Sequence, residues 1–149
     1  MSRQIRLTFI DEGISIGAEM LDDQAPKTCQ IIWDLLPLEE DAVHAIYSGS
    51  EIAYFLSQDI KIPKENQTSR VLPGDICYFR LEPGTMQEWS NGITELCWFY
   101  DRDGRPNMPD GPVAVNVFAR MNHDTTDFFK MCRRIRREGI KRVKIERLV

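Results

Sequence analysis

The segment Met20-Leu21-Asp22-Asp23-Gln24-Ala25-Pro26-Lys27-Thr28 carries the chain out of a strand and into a helix. Before it, hydrophobic and polar residues alternate over residues 3–10 and 14–21, the period of two that is typical of β-strands. Within it, Asp23 is the predicted helix cap, and Pro26 stands in the first helical turn, where its missing N–H has no cost. The segment therefore predicts a hairpin followed directly by a helix.

Further stretches rich in hydrophobic residues predict six more strands, and a second predicted helix precedes the last of these strands. These predicted strands cover residues 42–47, 51–56, 75–81, 94–100, 113–121 and 142–148. With the first hairpin they make about eight strands, and with two helices they predict a mainly β fold, a closed antiparallel barrel whose open ends the helices cover. No shift in composition marks a boundary, so we expect residues 1–149 to form one domain.

The composition indicates an ordinary water-soluble protein, with 42% hydrophobic and 28% charged residues and a net charge of −4. No apolar run approaches the about 18 residues of a membrane span, and no signal peptide pattern opens the chain, so we expect a cytoplasmic protein without a membrane partner. The four cysteines show no CxxC or CxH spacing, which predicts buried thiols and no metal site. No glycine-rich phosphate loop is present, and we expect no cofactor.

The predicted second helix, residues 125–137, carries a cluster of arginines. Phe128, Cys132 and Ile135 lie three or four positions apart and therefore share one face, which we expect to pack on the barrel. The arginines between residues 133 and 137 are expected to face solvent and to bury only their stems. Because aromatic residues are not interleaved with them and the net charge is negative, we expect no nucleic-acid partner.

A helix that opens with Ala25-Pro26-Lys27-Thr28 after a strand resembles the first helix of the cyclophilins. Over residues 3–121 the chain is similar to an uncharacterised bacterial family of the cyclophilin-like superfamily, described only as a domain of unknown function. The further shared motifs are Trp33, Leu36-Pro37, His44-Ala45, Ser48-Gly49, Glu65-Asn66, Thr68-Ser69 and Pro73-Gly74-Asp75. The resemblance implies a cyclophilin-like β-barrel and no particular activity. It also implies that the last helix and strand are an elaboration of the barrel.

Most candidate functional residues lie in the predicted hairpin 42–56 and in two long polar regions, residues 82–93 and 101–111, and the others lie on the predicted strands beside those regions. A histidine near a carboxylate can transfer protons near neutral pH, arginine binds carboxylates, and long loops on a rigid scaffold commonly bind ligands. We therefore predict a pocket for a small anionic or amide-bearing metabolite. The predicted ligand-binding residues are His44, Tyr47, Glu51, Glu88, Glu95, Tyr100, Arg102, Arg105 and Asn116. In the alternative interpretation, His44 is a half-buried strand residue and the loop charges are simply solvated.

Two other functions stay open at this stage. One is a peptidyl-prolyl isomerase or a non-catalytic peptide binder, although the arginine that cyclophilins use for catalysis has no matching position here. The other is a structural or interaction protein, in which Trp89, Trp98 and Phe99 line a contact in a homo-oligomer, since aromatic residues are enriched at interfaces.

Overall fold

An eight-stranded antiparallel β-barrel appears in a computed structural model, which describes residues 2–148. The strands are β1 (Gln4–Phe9), β2 (Ile14–Met20), β3 (Leu38–His44), β4 (Glu51–Phe55), β5 (Gln67–Thr68), β6 (Asp75–Leu81), β7 (Ile93–Phe99), β8 (Asn107–Met108), β9 (Gly111–Pro112), β10 (Val115–Met121) and β11 (Lys141–Leu148). The helices are α1 (Pro26–Leu35) and α2 (Thr126–Glu138).

The barrel strands hydrogen-bond in the order β2-β1-β11-β3-β4-β7-β6-β10, and β10 pairs with β2 to close the ring. The short strand β5 pairs with β10, while β8 and β9 form a separate two-stranded ribbon. The predicted closed antiparallel barrel with two helices is therefore confirmed. No helix within residues 2–148 combines the length and the apolar character that a membrane crossing needs.

The barrel has an inner and an outer face because side chains alternate along each strand. In β4, Ile52 and Tyr54 join the main core inside the barrel, together with Trp98 of β7. A smaller core lies on the outer face, where Cys77 of β6 and Cys97 of β7 are buried among apolar neighbours. All four cysteines are buried free thiols, as predicted.

The same alternation corrects the prediction of aromatic residues at a subunit contact. Trp98 and Phe99 are both fully buried, the first inside the barrel and the second in the outer core. Neither side chain is therefore available to a partner. Trp89, on a short 3-10 turn before β7, is half-buried.

The start of α1 is capped by a residue far away in the sequence. Asp23, the predicted cap, lies before the actual N-cap residue Ala25, so that prediction is wrong. The chain turns tightly at this point, because the backbone N–H of Ala25 donates to the carbonyl of Leu21 at 2.9 Å. The carboxylate of Glu65 instead accepts from the backbone N–H groups of Lys27 at 3.1 Å and Thr28 at 2.7 Å.

Replacing Glu65 with alanine should lower the free energy of unfolding by about 1–2 kcal/mol, the usual cost of losing an N-terminal cap. The change leaves N–H groups in the first turn of α1 without an acceptor. Urea unfolding followed by circular dichroism measures the loss. Lys64→Ala, at the exposed neighbouring position, is the matched control and should behave like the wild type. Equal stability of the two variants would show that Glu65 does not cap the helix.

The last strand is part of the ring and not an elaboration of it. β11 lies between β1 and β3 and hydrogen-bonds to both, so the barrel could not close without it. Val143 and Ile145 are buried on its inner face, as predicted. The resemblance over residues 3–121 missed this role because the strand that completes the ring lies outside the matching segment.

The second helix packs on the barrel as its apolar stripe predicts. Phe128, Cys132 and Ile135 are all buried in the main core. The arginines between residues 133 and 137 are exposed. The helix therefore contributes to the core through one face and to solubility through the other.

Candidate functional site

A pocket of about 260 Å³ opens on the outer face of the barrel, over β3, β4 and β7. Outward-facing side chains of β4 and β7 line it, among them Glu51, Phe55 and Glu95. Phe55 and Glu95 are directly opposite each other across the two strands, and Ala53 lies between Glu51 and Phe55 on the same face. We call this cavity the Glu51–Glu95 pocket.

The walls of the pocket are loops that hold one another in place. The hydroxyl of Ser48 donates to the carbonyl of Asn107 at 3.2 Å and accepts from its N–H at 2.9 Å. Gly49 adopts a φ of +66° and packs so closely against the carbonyl of Asp103 that a Cβ atom would clash with it. Arg136 of α2 donates to the carbonyl of Gly49 at 3.2 Å. The wall is therefore formed before any ligand binds.

Two carboxyl groups and one thiol converge at the base of the pocket. Oxygen atoms of Glu51 and Glu95 and the sulfur of Cys97 all lie within 4.8 Å of one another. Glu51 is only 4% exposed, while Glu95 is partly exposed towards the pocket. Both carboxyls therefore border the same cavity.

The surroundings of this pair favour its protonated form. Burial raises the pKa of Glu51 to about 7, although the neighbouring Cys97 thiol and Ser48 hydroxyl act to lower it. Burial, and then the charge of Glu51, raise the pKa of Glu95 well above its usual range. The charge of each carboxylate disfavours ionisation of the other, so the two groups titrate as a pair. A hydrogen bond with Cys77, together with burial, raises the pKa of the Cys97 thiol, so this group stays protonated and is not a nucleophile.

No cation compensates the charge of the pair. Within residues 2–148, no lysine or arginine nitrogen forms an ion pair with Glu51 or Glu95. The lining of the pocket contains no lysine or arginine either. The remaining charge therefore faces the cavity.

The structure does not bring the imidazole of His44 to Glu51. His44 pairs across the strands with Ile52, whose side chain is inside the barrel, so its ring lies on the opposite face from the carboxyl pair. Its Nδ1–H donates to the carbonyl of Ala45 at 2.8 Å, and its Nε2 accepts from the hydroxyl of Tyr100 at 2.7 Å. Burial lowers the pKa of His44, which keeps the ring neutral. The alternative interpretation, a half-buried strand residue with satisfied hydrogen bonds, describes its side chain.

Asn116, another predicted ligand-binding residue, lies away from this pocket. It is buried, and its amide donates to the hydroxyl of Thr28 at 3.1 Å and to the carbonyl of Pro63 at 3.0 Å. It lines a second cavity of about 510 Å³, which also contacts Tyr78 and Arg80. Its hydrogen bonds tie α1 to the segment 57–74.

The other predicted residues divide between the pocket and its surroundings. Tyr47, His44, Glu51 and Glu95 all line the pocket. Glu88 is exposed on the turn beside Trp89, and Tyr100 lies in the core. Arg102 and Arg105 are exposed on the loop before β8, where Arg105 donates to backbone carbonyls of its own loop. The predicted residues therefore do not converge on one site.

Sequence reasoning missed several residues of the pocket. Ala53 and Cys97 sit beside the carboxyl pair, and Phe55, Ile93 and Met108 supply apolar contacts. The available signal was spacing by two, which puts Ala53 and Phe55 on the face of Glu51, and Ile93 and Cys97 on the face of Glu95.

Comparisons with known proteins extend to the family and to the fold. Residues 7–147 match a family described as "Protein of unknown function (DUF3830)". McbB, solved in complex with tryptophan, has a similar structure, with a TM-score of 0.68 and 14% identity over 96% of this chain and 44% of McbB. This chain thus spans less than half of the length of McbB. The hypothetical protein AF2241 from Archaeoglobus fulgidus is also similar, with a TM-score of 0.60 and 22% identity over 99% of this chain and 95% of AF2241. No protein with a curated description matches.

Proposed function

We propose a function for this chain, which belongs to the DUF3830 family of proteins of unknown function, from its Glu51–Glu95 pocket. In this proposal the pocket binds a small molecule, and the carboxyl pair transfers a proton to or from it. The observation that carries the proposal is the convergence of two carboxyl groups within 4.8 Å in a cavity without a compensating cation.

The chemistry of the pair suits proton transfer. A general acid or base works best when its pKa lies near the operating pH, and the pKa of Glu51 is raised to about 7. A pair that holds one proton offers an acid on one carboxyl and a base on the other. Carboxyl groups with strongly shifted pKa values in a cleft are candidates for functional sites, because catalytic acids and bases need pKa values matched to their task.

The charge of the pocket narrows the predicted ligand. The carboxyl pair repels an anion, and the lining offers no lysine or arginine to bind one. An amide or amine N–H can donate to the carboxylate. We therefore propose a ligand that carries an amide or amine N–H and drop the anionic part of the predicted ligand class.

A peptidyl-prolyl isomerase receives less support. That function calls for a free arginine beside an apolar groove, and Arg80, which lines the larger cavity, is held by Asp59 at 2.7 Å and by Glu82 at 2.6 Å. The cyclophilin-like superfamily and a bacterial origin remain predictions from the motifs around Ala25-Pro26-Lys27-Thr28. Cytoplasmic location and homo-oligomer formation also remain predictions.

A ligand-dependent thermal-shift screen tests the pocket. We expect compounds that stabilise the wild type to lose their effect in Ala53→Leu, because the larger side chain fills the space between Glu51 and Phe55. The matched control, Ala114→Leu, places the same side chain in the larger cavity and should leave the effect unchanged. Tryptophan, the ligand of McbB, belongs in the screen as one probe.

Proton transfer is tested on any compound that binds. Incubation in D₂O should place deuterium on a carbon of the ligand, detected by mass spectrometry after the N–H and O–H positions have exchanged back in H₂O, and Glu95→Gln should abolish this exchange. Stabilisation that persists in Ala53→Leu and disappears in Ala114→Leu would move the site to the larger cavity. A ligand that binds without deuterium exchange or turnover would show that the protein is a binding protein, and the catalytic part of the proposal would be wrong.

A further inference from the structure

We infer that the ligand of the Glu51–Glu95 pocket carries a protonated amine joined to an apolar group. This inference rests on the proposed function and narrows it to one substrate class. It depends on three features of the pocket: an uncompensated carboxyl pair, the spacing of its oxygens, and an apolar mouth.

The first feature is the missing counter-charge. Carboxylates that are almost fully buried are usually paired with a cation or saturated with hydrogen-bond donors. Only 4% of Glu51 is exposed. The groups that lower its pKa are the Cys97 thiol and the Ser48 hydroxyl, and neither is a cation. The only charge that acts on the pKa of Glu95 is that of Glu51. A cationic group on the ligand would supply what the described chain does not.

The second feature is the spacing of the acceptors. An ammonium nitrogen about 2.9 Å from each of two oxygens, with N–H bonds that diverge by about 109°, joins oxygens about 4.7 Å apart. Oxygens of Glu51 and Glu95 lie within 4.8 Å of each other. One ammonium nitrogen can therefore donate to both carboxylates at once, through charge-assisted hydrogen bonds.

The third feature is the apolar mouth. Ile46, Tyr47 and Phe55 are large apolar side chains that are 83%, 47% and 42% exposed, and all three line this pocket. Trp89 and Met108 extend the same surface. A bare inorganic cation would leave this surface in water, whereas an amine with an apolar body covers it. A carboxylate on the ligand would meet no lysine or arginine in the lining.

The amine also changes the proton balance of the pair. At a pH where the pair holds one proton, an adjacent ammonium favours the ionised form of both carboxyls. Binding therefore releases that proton to solvent, and the charge of the complex is that of two carboxylates and one ammonium. The Cys97 thiol of β7 lies beside the pair and contacts Cys77 of β6, and both thiols stay protonated. Tyr47 and His44 also line the pocket, but the His44 ring is hydrogen-bonded to Tyr100 and burial lowers its pKa.

Three probes of similar size separate the possible ligand charges: 2-phenylethylamine, 3-phenylpropanamide and 3-phenylpropanoate. By isothermal titration calorimetry we expect the amine to bind the wild type at least about tenfold more tightly than the amide or the acid, since charge-assisted hydrogen bonds are the stronger ones. Titrations in two buffers of different ionisation enthalpy should show the release of about one proton. The affinity for the amine should rise with pH through the range in which the pair ionises.

Matched variants locate the effect. Glu95→Gln keeps the shape of the side chain and should weaken amine binding at least about tenfold. Asp110→Asn removes an exposed negative charge near Met108 and should leave it unchanged. Thermal unfolding of both variants checks that each is folded.

Each other outcome overturns the inference. An amide that binds as well as the amine, or amine binding that survives Glu95→Gln, would show that the charge of the pair is not recognised. Zn²⁺ alone that stabilises the wild type and not Glu95→Gln would make the pair a metal site. If none of the probes binds while another compound is lost in Ala53→Leu, the amine class is wrong and the proposed binding pocket stands.

Discussion

Replacing Phe128 with alanine lowers the free energy of unfolding by about 3–5 kcal/mol, the cost of truncating a buried phenylalanine. The side chain is 1% exposed, and its ring centroid lies 5.0 Å from that of Phe9 and 6.4 Å from that of Trp98. Phe9 belongs to β1 and Trp98 to β7, so this ring joins α2 to distant parts of the barrel. The surrounding strands cannot collapse into the space because their hydrogen bonds hold them in the ring.

Urea unfolding at constant pH measures this loss. Arg134→Ala is the control on the exposed side of the same helix, where the residue forms an ion pair with Glu138, and it should unfold like the wild type. A small loss for Phe128→Ala, close to that of the control, would mean that α2 does not pack on the barrel. If the protein instead bound nucleic acid in a salt-sensitive way, and if replacing the arginines of α2 abolished this binding, α2 would be a nucleic-acid-binding helix.

Glu51→Gln should make the protein more stable above neutral pH. Burial raises the pKa of Glu51 from its ordinary value of about 4.3 to about 7, so between these values the folded state binds more protons than the unfolded state. The wild type is therefore more stable near about pH 5, where Glu51 is protonated, and its free energy of unfolding falls as the pH rises through the folded pKa. Glutamine does not ionise, and the variant should exceed the wild type by on the order of 2–3 kcal/mol near about pH 8.

Urea unfolding of both proteins near about pH 5 and about pH 8 tests this sign. The two should be about equally stable at the lower pH and diverge at the higher one. Asp110→Asn, at an exposed carboxylate, should track the wild type at both. A glutamine variant that is less stable than the wild type near about pH 8 would show that a partner stabilises the Glu51 carboxylate in the folded protein.

A gain of stability on removing Glu51 would bear on function. Residues that destabilise a fold are retained where activity requires them, because selection acts on the function and not on maximum stability. The same change is expected to weaken binding in the pocket. Opposite effects of one substitution on stability and on binding would separate a functional carboxyl from a structural one.

The sequence by itself determined the elements whose pattern is local. Patterns along the chain located most of the barrel strands, although the strand predicted at residues 42–47 is Leu38–His44, and the spacing of Phe128, Cys132 and Ile135 located α2 and its buried face. These patterns can be read along the chain because they reflect the geometry of one strand or one helix turn, which neighbouring residues set. The count of strands followed, and with it the closed barrel.

Only the tertiary structure decided how distant residues meet. Glu65 caps α1 from a loop nearly forty positions away, with no local signal for the contact. The pairing of β3 with β4 puts His44 opposite Ile52 and so inside the barrel, while Glu51 faces outward. A shift of one residue in that register would exchange the two faces, and the irregular loop between the strands does not reveal it. Glu51 and Glu95 meet because β4 pairs with β7, a contact between strands that lie far apart in the chain and that periodicity within either strand cannot specify.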